Sequence, residues 1–407
     1  MNLSISSPTL ISTATLPRMA GHSTPETVES HALGPQEADR LWNWVLARQG
    51  LAAHTRLATV EEIADAALGL HAARLPSPYA TVAARAADAA VPLALFGSAV
   101  RSRLVTVRCM RKTLHALPLE LAAAAHAATL RFRERDALRG IVNAGHTEAR
   151  VAVATRALVE LLGEAGPMFH RDIEARLAAA AIPVSVTRLA LKLAWERGTL
   201  AYINQARGWN REVRTFALTT SLYPGFDTGV DPSAAVTRLM AAYIDRYGPI
   251  GIRDATWWSA LSRTAVVEGL ERAGAKLVEL LTPWSSSPLY MNAERFSEFT
   301  DASAADCATG VNLLAHEDVA LKAYFETRRR YLGDLTPLAA FNQIGEVLPT
   351  VVVDGRVVGT WAWDERAAQV RLRLITGMAQ AEQRKEIRGV AARLAAILRS
   401  GLHRVPG

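Results

Sequence analysis

The chain has 407 residues, half of them apolar, and a formal net charge of +7 at pH 7. This length suits about two to four small domains with a sizeable buried core. The two cysteines, Cys109 and Cys307, support neither a disulfide framework nor a zinc cluster. The sequence also lacks an apolar run of about eighteen residues and a basic segment followed by an apolar core, so neither a membrane span nor a secretory signal is expected.

Arginine carries nearly all of the positive charge, because lysine occurs only at Lys112, Lys192, Lys276, Lys322 and Lys385. The planar guanidinium suits phosphates and base edges, which makes nucleic acid a candidate partner. A GC-rich genome also replaces lysine with arginine, so composition alone leaves both interpretations open. If the chain binds DNA, we expect a cytoplasmic, nucleoid-associated protein with no membrane contact.

The N-terminal residues 1–35 are rich in Ser, Thr and Pro and show little hydrophobic periodicity, which predicts a mobile tail. Residues 36–145 form the first predicted unit. Its apolar spacing predicts helices over residues 36–48, 60–71 and 77–87, followed by a hairpin of strands 103–108 and 113–117. His71 lies at the end of the second helix, where a polar ring interrupts the apolar rhythm.

The second predicted unit, residues 146–225, has the clearest pattern. Three helices are expected: from residue 151 to the Gly166-Pro167 stop, over 169–179, and over 184–197. Strands over 199–204 and 213–218 follow, and three helices before a hairpin is the winged-helix order. Residues 226–300 repeat this plan with helices over 234–246, 252–259 and 264–273 and a strand over 276–281, which indicates a tandem array.

The C-terminal part, residues 301–407, differs from the rest. Apolar strands over 350–353 and 357–361 flank Asp354-Gly355, a strong hairpin signal. A third strand over 370–374 and a long amphipathic helix over 379–398 complete a small antiparallel sheet packed by helices. The fold class expected for the whole chain is therefore mainly α with small β-hairpins (α+β), built from tandem winged-helix units and a C-terminal antiparallel β/α subdomain.

Several separated motifs carry a family resemblance. They are Gly69-Leu70-His71-Ala72-Ala73 with Pro76-Ser77-Pro78-Tyr79, then Met110-Arg111-Lys112-Thr113-Leu114-His115, Tyr247-Gly248-Pro249, Asp254-Ala255-Thr256-Trp257-Trp258-Ser259, and Asp354-Gly355-Arg356-Val357-Val358-Gly359-Thr360-Trp361. In order and spacing, they resemble the winged-helix DNA glycosylases of the AlkZ/YcaQ type from about residue 40 onward. The resemblance implies a monofunctional glycosylase that acts on duplex DNA carrying bulky N7-alkylguanine, in repair or in self-resistance to a genotoxin, without cofactor or metal.

That family carries a catalytic glutamine pair in the first motif, and the matching positions here are His71 and Ala73. A neutral imidazole offers one hydrogen-bond acceptor and one donor, so His71 is the candidate catalytic residue; its alternative is a helix-end histidine bonded to a carbonyl. Tyr79 is expected to line the same cleft or to pack as a core aromatic. Whether the target base is flipped is left open.

A basic segment follows the first motif. Read as one strand, it points Arg111, Thr113 and His115 to a common face as candidate substrate contacts, with Arg108 and Lys112 on the opposite face; Lys112 is a candidate DNA contact. The alternative is a solvated sheet edge.

Further candidate DNA contacts are found in the second unit and near the C-terminal subdomain. Arg188 and Lys192 share one helix face. The predicted wing carries Arg207, Arg211 and Arg214, and Arg328 and Arg329 begin an arginine run. An ordinary charged surface is the alternative for each. Trp257 and Trp258 fit a helical core pattern better than a base-stacking platform.

The acidic group His316-Glu317-Asp318 does not predict a metal site, because three consecutive residues cannot all face one ion, and Asp318 is better explained as a helix cap. Two other function classes remain: a non-catalytic winged-helix regulator or lesion sensor, which Ala73 favours, and a different hydrolase, for which no nucleophile motif stands out. The asymmetric array suggests a monomer.

Overall fold

The computed structural model describes residues 28–96, 103–206, 208–307 and 309–402. The α-helices in these ranges are α1 (Pro35–Leu46), α2 (Val60–Ala66), α3 (Ser77–Ala83), α4 (Leu119–Asn143), α5 (Glu148–Ala165), α6 (His170–Ala179), α7 (Val184–Glu196), α8 (Thr219–Leu222), α9 (Pro232–Tyr247), α10 (Ile252–Ser259), α11 (Arg263–Arg272), α12 (Ala293–Asp301), α13 (Val319–Lys322), α14 (Arg329–Leu332) and α15 (Ala381–Ser400).

The strands form four small sheets. Their bounds are β1 (Ser30–Ala32), β2 (Leu70–His71), β3 (Leu104–Arg108), β4 (Leu114–Pro118), β5 (Met168–Phe169), β6 (Leu200–Asn204), β7 (Arg214–Leu218), β8 (Leu277–Leu281), β9 (Leu289–Asn292), β10 (Val311–Leu314), β11 (Thr350–Val353), β12 (Arg356–Asp364) and β13 (Gln369–Leu374). The strand orders are β1-β8-β9, β2-β4-β3, β5-β7-β6 and β10-β11-β12-β13. The predicted α+β fold class is confirmed.

The second predicted unit has the expected winged-helix order. Helices α5, α6 and α7 precede the β6–β7 hairpin, and their apolar faces share one buried cluster that includes Leu158, Ile173 and Leu191. Helix α5 begins at a Thr147 cap, whose hydroxyl accepts a hydrogen bond from the Arg150 N–H. The short strand β5, which the sequence did not predict, lies between α5 and α6 in the sequence and pairs with β7.

In the first unit, the second helix is shorter than predicted, and this decides where His71 lies. Helix α2 starts at a Thr59–Glu62 capping box and ends at Ala66, not at residue 71. Gly69 then turns the chain with a φ of +103°, and a β-carbon there would meet Leu117 at 2.6 Å. The glycine thus allows the chain to leave the helix and enter β2, so His71 lies on a strand.

The first and third predicted units share one hydrophobic core. It contains Leu41 and Trp42 from α1, Leu121 from α4, and Tyr243 and Trp258 from α9 and α10. The third unit follows the predicted order, α9-α10-α11-β8, and β9 then pairs antiparallel with β8.

Ordered structure begins before residue 36. The predicted mobile tail lies outside the described residues over 1–27, but β1 pairs in parallel with β8, with Ser30 opposite Glu279, and Leu33 is buried. Among the described residues, no helix has both the length and the apolar character that crossing a membrane requires.

The C-terminal sheet is antiparallel, as predicted, with β10 as an additional edge strand. Helix α15 covers it with Ile387, Ala391 and Leu394. Asp354 and Gly355 both have positive φ, as a two-residue hairpin turn requires. A β-carbon on Gly355 would meet Trp42 at 2.8 Å, and the indole of Trp42 donates a hydrogen bond to the Gly355 carbonyl (2.8 Å). The hairpin tip therefore docks on α1.

Candidate active site

Strand pairing brings His71 beside a second histidine. His71 on β2 lies opposite His115 on β4, and their ring centroids are 5.6 Å apart with the planes nearly perpendicular. His316, which follows β10, contributes a third ring 6.0 Å from that of His71. The sequence positions of the three rings are widely separated, so the cluster depends on the docking of the C-terminal sheet against the first unit.

The His71 ring is buried and neutral. Only 6% of the residue is exposed, and its Nδ1 makes no hydrogen bond with the described residues. Burial lowers the pKa of His71 to about 2, and neighbouring His115, His316, Lys322 and Arg74 reinforce the effect. At neutral pH the ring carries one proton, so it can accept one hydrogen bond and donate another, but it does not take up a second proton.

His115 is held in place from behind. Its Nδ1 lies 3.3 Å from the Thr113 carbonyl oxygen and 3.5 Å from the Cys109 sulfur. Burial lowers the pKa of His115 to about 4, although the bond to Thr113 acts in the opposite direction. Burial also raises the pKa of Cys109 to about 12, so this sulfur is a thiol and not a thiolate. His115 is thus a neutral ring that is held in a fixed position beside His71.

A buried ion pair adjoins the histidines. Glu317 follows His316 with a positive φ of 57°, and its carboxylate accepts hydrogen bonds from Lys322 Nζ (2.8 Å) and the Val347 N–H (2.6 Å). Burial lowers the pKa of Lys322, whereas Glu317 opposes that change. The lysine is close enough to lower the pKa of all three histidines.

Asp318 caps α13, as predicted, by accepting a hydrogen bond from the Ala320 N–H (3.0 Å). It has a second role that the sequence did not reveal. Both of its oxygens bind the Arg85 guanidinium, at 2.7 and 2.9 Å, and neither side chain is exposed. This ion pair joins the segment that follows α3 to the segment that carries His316.

The expected common face of Arg111, Thr113 and His115 is wrong. Met110–Lys112 forms a 3₁₀ turn in which Arg111 and Lys112 have positive φ, so regular alternation starts only at Leu114. The Thr113 hydroxyl bonds to the Met110 carbonyl (3.0 Å) and closes the turn.

Arg111 instead lies over the Trp257 ring at 3.8 Å, and Trp257 stacks on Phe325 with centroids 4.7 Å apart. Arg328 packs over Phe341 at 3.8 Å and lies 5.3 Å from the Trp257 ring. Trp257 is therefore half-buried and flanked by cations, while Trp258 is a core residue, as expected.

The remaining candidates are dispersed. Tyr79 is half-buried on α3 and packs against the apolar cluster under the C-terminal sheet. Four of the cations form ion pairs on the surface: Lys112 with Asp136, Arg188 with Glu174, Arg214 with Glu212, and Arg329 with Asp334. Lys192 bonds to the buried Glu196, Arg211 is exposed, and Arg207 lies outside the described residues. Among the hydrogen bonds and ion pairs of the described residues, none joins these cations to His71, His115 or His316.

Sequence reasoning missed His316, Lys322 and Arg85 as parts of this region. The contact of His316 with His71, that of Arg85 with Asp318 and the effect of Lys322 on His71 all span long sequence separations, so no local pattern marks these residues. Although three imidazoles meet here, the described His, Cys, Asp and Glu side chains contain no group arranged to hold a metal ion.

Comparisons with known proteins agree with the sequence motifs. The sequence profile of the family described as "DNA glycosylase AlkZ-like" matches residues 64–397. The fold is similar to the solved structure of the Streptomyces sahachiroi DNA glycosylase AlkZ, with a TM-score of 0.70 and 20% identity over 90% of this chain and 98% of that one. A search of curated proteins found no significant match. The chain belongs to the AlkZ-like DNA glycosylase family and is a hydrolase of N-glycosyl bonds.

Proposed function

We propose that this glycosylase removes bulky N7-alkylguanine from duplex DNA, with His71 as its catalytic residue. One observation carries the proposal. By the sequence resemblance, His71 matches the first position of the family's glutamine pair, and in the structure it is a buried, neutral ring whose Nδ1 makes no bond to the described protein. One ring nitrogen is therefore left for a water or a substrate group, and it accepts a hydrogen bond in the tautomer that carries its proton on Nε2.

The chemistry of the proposed substrate suits such a residue. Guanine alkylated at N7 is a cation and leaves as a neutral base, so the departing group needs no proton from the enzyme. The enzyme must hold a water against C1′ while positive charge develops on the sugar. A neutral His71 accepts a hydrogen bond from that water and orients it for attack. Because the pKa of His71 is lowered to about 2, the ring orients the water, and the proton that the water loses on attack passes to solvent.

Ala73 at the second position has no hydrogen-bonding side chain, so His71 bears the whole catalytic role of the pair in this proposal. The cations near the site have a separate role. Arg111 and Arg328 lie beside Trp257, where they are placed to attract phosphates that flank the adduct. The wing residues Arg211 and Arg214 supply further backbone contacts at a distance from the chemistry.

The biological setting that fits this activity is DNA repair or self-resistance to a genotoxin, with the protein acting as a monomer in the cytoplasm.

The direct test is release of a bulky base from a duplex with one N7-alkylguanine, measured for the parent protein, His71→Ala, His71→Gln and the exposed-histidine control His54→Ala. We expect His71→Ala to lose at least about 100-fold in rate with DNA affinity retained. His71→Gln, which still offers an acceptor, retains measurable activity.

Equal rates for His71→Ala and the parent protein would contradict the catalytic role of His71. Activity on N7-methylguanine but not on the bulky adduct would contradict the proposed substrate class. Loss of DNA affinity and base release together would indicate misfolding, which a thermal unfolding measurement on each variant separates from a catalytic effect.

A further inference from the structure

A short turn beside the histidine cluster presents an apolar side chain to solvent. Phe341 and Val347 form an antiparallel bridge that closes the turn, and Ile344 at its tip is 75% exposed. A single exposed apolar side chain is ordinary on a protein surface, so the position of Ile344 and its fixed turn carry the argument.

Hydrogen bonds on both sides fix the shape of the turn. The Asn342 side-chain oxygen accepts bonds from the Ile344 N–H (3.2 Å) and the Glu346 N–H (2.9 Å), and its amide donates to the Glu346 carboxylate (2.8 Å). The Asn342 and Gly345 N–H groups add two backbone bonds across the turn, both at 3.0 Å. These bonds hold the backbone of the tip in one shape, so Ile344 keeps its place at the end of the turn.

The turn is tied directly to the candidate active site. Val347 exchanges two hydrogen bonds with Glu317, the residue that follows His316. Glu346 forms an ion pair with Arg74, three residues after His71, at 3.1 Å. Gly345 lies against the edge of the Trp257 ring, since a β-carbon there would meet it at 3.7 Å. The Ile344 tip is thus anchored next to the histidines and to the cation-flanked Trp257.

We propose that Ile344 is a wedge that enters the duplex beside the adducted base pair. An aliphatic side chain cannot bind phosphate, but apolar residues of this size insert between base steps and unstack them. The neighbouring cations Arg74 and Arg111 hold the backbone on either side. The wedge opens the stack next to the lesion and so gives His71 access to the C1′ side of the sugar. This inference rests on the proposed action on adducted duplex DNA.

The test compares Ile344→Ala with Leu338→Ala. Leu338 is a matched control, because it is 67% exposed in the same connecting segment but lies outside the turn. One readout is base release from a duplex carrying a bulky N7-alkylguanine. The other is the fluorescence of 2-aminopurine placed next to the adduct, which rises when the base unstacks. The fluorescence is measured in a His71→Ala background so that the adduct stays in place.

We expect Ile344→Ala to lose about tenfold or more in base release, a loss that corresponds to about 1.4 kcal/mol in the barrier, and to abolish the fluorescence rise. Leu338→Ala should match the parent protein, and Ile344→Leu should restore both signals. Equal release and equal fluorescence for Ile344→Ala and Leu338→Ala would overturn the wedge. A fluorescence rise that depends on Ile344 without base release by the parent protein would instead refute the proposed function and support the wedge.

Discussion

The buried pair between Arg85 and Asp318 gives a sharp test of how the site is held together. Neither side chain is exposed, and two hydrogen bonds at 2.7 and 2.9 Å join them across a separation of 233 residues. Replacing Asp318 with alanine leaves the guanidinium buried without its counter-ion, which costs about 3–5 kcal/mol. The same change removes the cap of α13, at a cost of about 1 kcal/mol.

The assay is chemical denaturation followed by circular dichroism. We expect Asp318→Ala to lower the free energy of unfolding by about 3–5 kcal/mol, since the two effects overlap at one carboxylate. The control is Asp334→Ala, which breaks the exposed pair with Arg329 and should change stability by less than about 1 kcal/mol. The double variant Arg85→Met with Asp318→Leu removes both charges and should recover much of the loss. A loss below about 1 kcal/mol for Asp318→Ala, or no recovery in the double variant, would refute this explanation.

Three further predictions concern the loss of stability in acid, the pH dependence of base release and the salt dependence of DNA binding. Burial lowers the folded-state pKa values of His71, His115 and His126, a buried histidine of α4, to about 2, 4 and 3. These values lie below the ordinary value of 6.5, so the unfolded chain binds protons first as pH falls. Stability is therefore lost below pH 6.5, by about 2 kcal/mol for each ring between pH 7 and pH 5, and thermal unfolding across that range checks it. The same shifts predict that base release follows no titration near pH 6.5 between pH 5.5 and 8; a midpoint there would implicate a histidine with an ordinary pKa. DNA affinity should fall steeply with salt, and Arg211→Ala should reduce the log–log slope by about 1 if this exposed side chain contacts a phosphate, whereas a flat salt response would contradict backbone binding.

The parts of the fold that the sequence predicted are those with regular local patterns. The winged-helix order of the second unit follows from helical stripes, Gly-Pro stops and strand-forming residues, and the C-terminal hairpin follows from Asp354-Gly355. The long helix α4 was not predicted. Every residue over 121–129 is buried, so no apolar face contrasts with a polar one there, and the amphipathic signal disappears.

The errors near the site have related causes. The apolar rhythm continues past Ala66, so the pattern favours a longer α2, and only the contact between Gly69 and Leu117 shows why the helix ends. The turn at Arg111 uses positive φ at non-glycine residues, which a strand pattern does not reveal. Strand β1 is short and pairs with a strand almost 250 residues away in the sequence, so its local composition resembles a tail.

Sequence motifs located His71 as the candidate catalytic residue, but they did not reveal its neighbours. Burial lowers the pKa of His71 most, His115 comes next, and His316 and Lys322 add to the effect from segments far away in the sequence. The electrostatic environment of the residue is therefore a tertiary property. The sequence motifs offered His71 as an imidazole with one hydrogen-bond acceptor and one donor, and its lowered pKa keeps the ring neutral at pH 7. That this neutral ring orients water is our proposal.

The measurement that tests the central claim most directly is single-turnover base release from a duplex carrying one bulky N7-alkylguanine, for the parent protein and His71→Ala side by side. The account predicts release by the parent protein and at least about a 100-fold loss in the variant, with similar DNA affinity. Tight, adduct-dependent binding by the parent protein without release of the base would contradict it and would favour a lesion sensor in which Ala73 marks a lost catalytic pair.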